Sequence, residues 1–186
     1  SMIAEDGIDA LNAWLAEAGL RGEPEPALVS GFCERAVSAG LPISRALVLI
    51  DTLHPVYEGR VVRWGHDPAK PIVQEYGRTE LPEGASHLHA PAIEPAESIA
   101  RWRESPFFRM LQTGDDTLRR RLTAANELEF SILRDYRDAG MTDYIAIINR
   151  FGPEGTIGEM DCIYSSWATD HADGFTASDI SVLKRL

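Results

Sequence analysis

Basic residues are in short supply: 18 lysines and arginines stand against 29 aspartates and glutamates, a formal net charge of −11. A field of that sign repels a phosphate backbone, so nucleic acid is not an expected partner. Cysteine is scarcer still. Only Cys33 and Cys162 occur, far apart and each among apolar neighbours, which argues against a disulfide framework and fits a cytoplasmic setting. No uninterrupted apolar run reaches the roughly 18 residues of a membrane-spanning candidate. The N-terminus lacks the basic stretch and apolar run of a signal peptide.

The signatures of several chemistries are missing as well. There is no GxxxxGK[ST] loop and no GxGxxG turn to cradle phosphates, no GxSxG nucleophile turn, no HExxH and no CxxC pair. No catalytic residue is assigned, and the segment reads as non-enzymatic. His87 and His89 stand two apart in a Pro- and Gly-rich stretch with no third ligand in evidence, so no metal site is expected. The basic run Arg119-Arg120-Arg121 reads as a solvated helix face or a local set of ion-pair partners.

What is present is a chain of 186 residues, 44% apolar, enough for one domain with a real core. Ile8, Leu11, Trp14, Leu15 and Ala18 recur at helical spacing up to Gly19. A second helix starts near Glu25, where prolines suit a first turn, with Leu28, Val29, Phe32, Cys33, Ala36 and Val37 as its apolar stripe and Gly40 as its end. The period then changes. Residues 45–53 form a nearly continuous apolar run, expected as a strand covered on both faces, and 60–64 and 72–76 follow as strands on connections too short for a parallel crossover.

The middle is less regular. Residues 81–95 read as a surface loop and 96–103 as a short helix. Ser105-Pro106 reads as the cap and first residue of a helix ending at Gly114, and Asn126 as the cap of a helix over 127–139. Strands over 143–151 and 160–168 flank Gly152-Pro153-Glu154-Gly155, and Thr176 with Asp179 suggests a capping box for a last helix. The implied class is α+β, an antiparallel sheet of about five to six strands with helices packed on it.

A small-molecule site is expected between that sheet and its irregular cover, in an apolar cleft with a few polar groups. The candidates are His54, Tyr57, Trp64, Phe107, Phe108, Met110, Tyr144, Cys162 and Tyr164. Each has a purely structural alternative. His54 can lock the end of a strand, Cys162 can serve as a small core residue, and the aromatics can simply fill the interior.

One resemblance spans nearly the whole chain in order. Phe32-Cys33-Glu34-Arg35 comes first, then Ile50-Asp51-Thr52-Leu53-His54-Pro55 with Tyr57-Glu58-Gly59-Arg60 and Arg63-Trp64. Thr142-Asp143-Tyr144, Ser166-Trp167-Ala168-Thr169-Asp170 and Gly174-Phe175-Thr176 follow. Together they resemble a region upstream of the catalytic domain in bacterial class III adenylate/guanylate cyclases, a region of GAF-like or PAS-like character. The resemblance implies a sensory domain over 1–175, with 176–186 starting a signalling helix toward a cyclase output domain. It also implies a homodimer through that helix, and a role in controlling cyclic AMP synthesis without catalysis by this segment. The cyclase stretch bearing the two metal-binding aspartates is not found. No cofactor is expected in this segment beyond an unknown small-molecule ligand. The alternatives are a dimerisation module whose pocket is filled by its own side chains, and a small stand-alone enzyme.

Overall fold

Alternate residues of the apolar run 143–151 face opposite sides of one sheet, and helices cover both sides. The computed structural model describes residues 5–50, 59–65, 73–76, 100–123, 126–151 and 161–185. The strands are β1 (Arg45–Ile50), β2 (Gly59–Trp64), β3 (Val73–Tyr76), β4 (Thr117–Arg121), β5 (Asp143–Phe151) and β6 (Asp161–Thr169). They form one six-stranded sheet in the order β3-β2-β1-β6-β5-β4. Every neighbouring pair is antiparallel. The helices are α1 (Glu5–Leu20), α2 (Glu25–Ser38), α3 (Pro106–Thr113), α4 (Ser131–Asp138) and α5 (Ala177–Lys184), with a short helical stretch over 100–103. The class is α+β, and the sheet with its helices is consistent with a GAF-like/PAS-like layout.

Two apolar clusters lie on the two faces. On one, Ile8, Leu11, Phe32, Cys33 and Ala36 of the α1–α2 pair and Val182 and Leu183 of α5 pack on Ala46, Ile145, Ile147 and Trp167. On the other, Phe107 and Met110 of α3 and Leu133 and Tyr136 of α4 cover Leu49, Val61, Tyr144, Ala146, Ile148 and Tyr164. Strand β5 contributes to both clusters by strict alternation, which is why residues 144–148 are apolar without interruption.

Helix ends follow local chemistry. The Ser105 hydroxyl accepts from the Phe108 N–H at 3.2 Å, Pro106 needs no partner at the first position, and Gly114 closes α3 in the left-handed region at φ 78°. Thr176 and Asp179 form the expected capping box, the hydroxyl accepting from the Asp179 N–H at 3.0 Å and the carboxylate from the Thr176 N–H at 2.9 Å. The α5 face carrying Val182 and Leu183, with Ile180 alongside, is spent on the domain's own core.

Three expectations change. Arg119, Arg120 and Arg121, read as a helix face or as ion-pair partners, lie on a strand and are ion-paired: 117–121 pairs with β5 from Thr117↔Ile147 to Arg121↔Asp143. The helix expected from 127 begins at Ser131. Leu128 and Phe130, two residues apart, both insert into the cover-side cluster, which requires extended backbone, and the Asn126 amide donates to the Arg121 carbonyl at 2.9 Å instead of capping. Helix α1 runs one residue past Gly19 to Leu20. The end of the first expected strand (51–53) and the expected loop over 81–95 lie outside the described residues.

Met110 and Leu133 are completely buried. Truncating either to alanine is expected to cost about 2–5 kcal/mol. The same change at Leu20, 89% exposed, is expected to stay within about 0.5 kcal/mol. Urea denaturation of the three variants measures the contrast.

Candidate functional site

The face of the sheet under α3 and α4 holds buried polar groups among small and aromatic ones. On β5 and β6, Tyr144 is paired with Ala168 and Ala146 with Ser166, all four buried. Alternation puts these side chains on one face, so a serine and two alanines make a low floor beside the tyrosine. Burial pushes the Tyr144 phenol well above its ordinary range, with the neighbouring Tyr136 adding to the rise and the nearby Ser166 hydroxyl partly opposing it. Tyr144 is therefore a neutral hydrogen-bonding group at physiological pH and not a phenolate base.

Aromatic rings wall this floor. Tyr164 meets Trp102 and Phe107 edge to face, each pair of centroids 5.5 Å apart. Tyr136 of α4 lies 5.9 Å from Tyr144, and the Arg45 guanidinium stands 5.5 Å from the Tyr136 ring centre. Phe107 and Met110 are buried in this cluster, and Phe108 packs on it half-exposed.

Five of the nine expected site residues thus meet on one face: Phe107, Phe108, Met110, Tyr144 and Tyr164. Trp64 does not join them. It packs against the opposite cluster, with the α1–α2 pair, because it is register-paired with Ala46, whose side chain faces that side. His54, Tyr57 and the side chain of Cys162 lie outside the described residues, as do His87 and His89. Among the described residues, no group of three or more His, Cys, Asp and Glu is placed to hold a metal ion. No helix among them is long and apolar enough to cross a membrane.

Sequence reasoning passed over Ser166, whose value depends on its register beside Ala146 and near Tyr144. It also did not foresee the cluster around Asp143, although one of its two readings of the arginine run was ion pairing. Asp143 is fully buried at the start of β5. Its carboxylate accepts from both Nη2 and Nε of Arg119 (2.6 and 3.3 Å), from Nη1 of Arg121 (3.3 Å), and from the N–H groups of Tyr144 (3.0 Å) and Phe175 (2.9 Å). Both guanidiniums also reach the segment leading into α5. Arg119 donates to the Phe175 carbonyl at 2.7 Å, and Arg121 to those of Asp173 and Ala172 at 2.8 and 3.4 Å. Gly174 sits at φ 69°, and a Cβ there would overlap the Arg121 guanidinium and crowd the Asp143 carboxylate. The chain matches no protein-family model and no curated protein.

The Asp143 cluster generates two predictions. Asp143→Ala leaves two guanidiniums without their buried partner. The expected loss is about 3 kcal/mol, the low end for a broken buried pair because both arginines are about a third exposed. Gly174→Ala adds left-handed strain to a clash and is expected to cost roughly 2 kcal/mol. Urea midpoints of the two variants decide both figures.

On the opposite face, the Cys33 thiol is pushed up to about 12 from 9.0, chiefly by burial and secondarily by Glu34. Its folded value lies above its unfolded one, so the neutral thiol's contribution is full below pH 9.0 and disappears as pH rises toward about 12. Alkylation near pH 8 followed by peptide mass mapping should leave Cys33 unmodified until denaturant is added. Stability should fall over the alkaline window, and less steeply in Cys33→Ala.

Proposed function

We propose that this chain is a non-catalytic sensing domain that binds a small molecule against the cover-side face of its sheet and thereby controls cyclic-nucleotide synthesis by an adenylate/guanylate cyclase output domain. The observation that carries the reading is the buried Tyr144–Ser166 pair, set between two alanines under an aromatic cover. A core built only for stability gains little from a hydroxyl pair at its centre, since each polar group taken from water must be compensated. A recognition site uses such groups to orient a largely apolar ligand. The chemistry suits a small ring-bearing molecule with one hydrogen-bonding substituent: the rings of Phe107, Tyr164 and Tyr136 offer faces and edges, and the hydroxyls offer one polar contact.

The cyclase output rests on the ordered resemblance from Phe32-Cys33-Glu34-Arg35 through Gly174-Phe175-Thr176. The two parts of the reading are separable. Ligand binding belongs to the face under α3 and α4, and output belongs to what α5 is joined to. Dimerisation through α5 is a further part of the proposal, and it has to use surface other than the buried Val182 and Leu183.

Thermal unfolding against a panel of purified metabolites tests the binding part. A true ligand at a hundred times its Kd is expected to add about 2.7 kcal/mol of stability. Tyr144→Phe keeps the ring and removes the hydroxyl, and it should weaken that ligand about tenfold or more while leaving the fold intact. A full panel without any stabilisation, or a ligand indifferent to Tyr144→Phe and Ser166→Ala alike, would reject the site.

A further inference from the structure

Three consecutive arginines on β4 divide their contacts between the two sides of the sheet. Arg119 and Arg121 grip Asp143 and the carbonyls of Ala172, Asp173 and Phe175, the strap leading into α5. Arg120, between them, turns the other way and pairs with Glu129 at 2.6 Å, in the extended segment ahead of α4. That segment is tied to the same strand again. Asn126 donates to the Arg121 carbonyl at 2.9 Å, and Arg137 of α4 donates to the Asn126 carbonyl at 3.3 Å. Leu118 of β4 and Leu122 just beyond it pack in the cover-side cluster with Leu128 and Phe130.

We propose that β4 is the coupling element between the cover and α5, with Arg120 and Asn126 sensing the position of the cover and Arg119 and Arg121 setting the position of the strap. The strap is held mainly by charged donors acting on its backbone carbonyls and on one buried carboxylate, so a small movement of β4 breaks several strong bonds together. Its backbone has little freedom to follow, since Gly174 is packed against the Arg121 guanidinium and the Asp143 carboxylate. Strand β4 lies at the edge of the sheet and pairs only with β5 among the described residues, which makes it easier to displace than the doubly paired β6. Its use in signalling rests on the sensing reading above; the coupling itself does not.

The test therefore uses ligand-free protein. Amide hydrogen exchange is followed in Arg120→Gln and in Asn126→Ala, two residues whose side chains make no hydrogen bond or ion pair with the strap or α5. The expected result is about three- to tenfold faster exchange at Phe175, Asp179 and Ile180, with Ile145 to Ile148 of β5 unchanged. Unchanged protection at those three amides in both variants overturns the proposal. So does acceleration spread evenly over β5 and β6, because that is general loss of stability and not coupling. Failure of every metabolite to bind would leave this result untouched, so the two readings fail separately.

Discussion

Strand β6 hydrogen-bonds to β1 along one edge and to β5 along the other, and apolar clusters cover the sheet on both faces. Among the described residues, it alone joins the N-terminal meander β1–β2–β3 to the C-terminal strands within the sheet. Both neighbours must be in place before β6 is satisfied, since unpaired backbone groups in a buried strand are costly. The layered architecture follows from this. The α1–α2 pair and α5 close one face, α3 and α4 close the other, and β5 supplies apolar side chains to both.

The two faces have different characters. On the side of α1, α2 and α5, Phe32 meets Trp167 edge to face at 5.8 Å, Trp167 Nε1 donates to the buried Ser165 hydroxyl at 3.1 Å, and Arg35 stacks 4.1 Å from the ring centre of the half-buried Trp14. The cover side sets Tyr144 and Ser166 among aromatics and alanines, and it is the surface proposed to bind a ligand. Between them, β4 and the first residues of β5 carry charge. Asp143 and Tyr144 are neighbours in sequence but face opposite ways, one gripping the strap to α5 and the other lying in the proposed site. Adjacent positions on a strand thus address both sides at once, a direct consequence of the two-residue period.

Much of the architecture was legible locally. The stops at Gly40 and Gly114, the Ser105 cap with Pro106, and the Thr176–Asp179 capping box are short-range signals, and each sits where its chemistry predicts. The strand over 143–151 was also read from its sequence and is β5. The failures share one cause. Strand β4 has a single apolar residue, Leu118, among arginines, so no periodic signal marks it; its stability comes from Asp143 and the β5 backbone, more than 20 residues away. The stretch before α4 looked helical because Leu128 continues the face of Ile132, Tyr136 and Ala139, but for Leu128 and Phe130 both to reach the cover cluster requires an extended chain. Trp64 was grouped with the site by proximity in sequence to the strand end, while its register sends it to the opposite face.

The sequence by itself determined the α+β class, most helix boundaries, and five residues that share the cover-side face: Phe107, Phe108, Met110, Tyr144 and Tyr164. Those features depend on capping, turn chemistry and hydrophobic period, all of which act within a few residues. The order in which the strands lie, the placement of Ser166 beside Tyr144 on one face, and the five-donor cage around Asp143 were decided by the tertiary structure alone. Each of these depends on register between distant segments, where a shift of one residue sends every side chain to the other face.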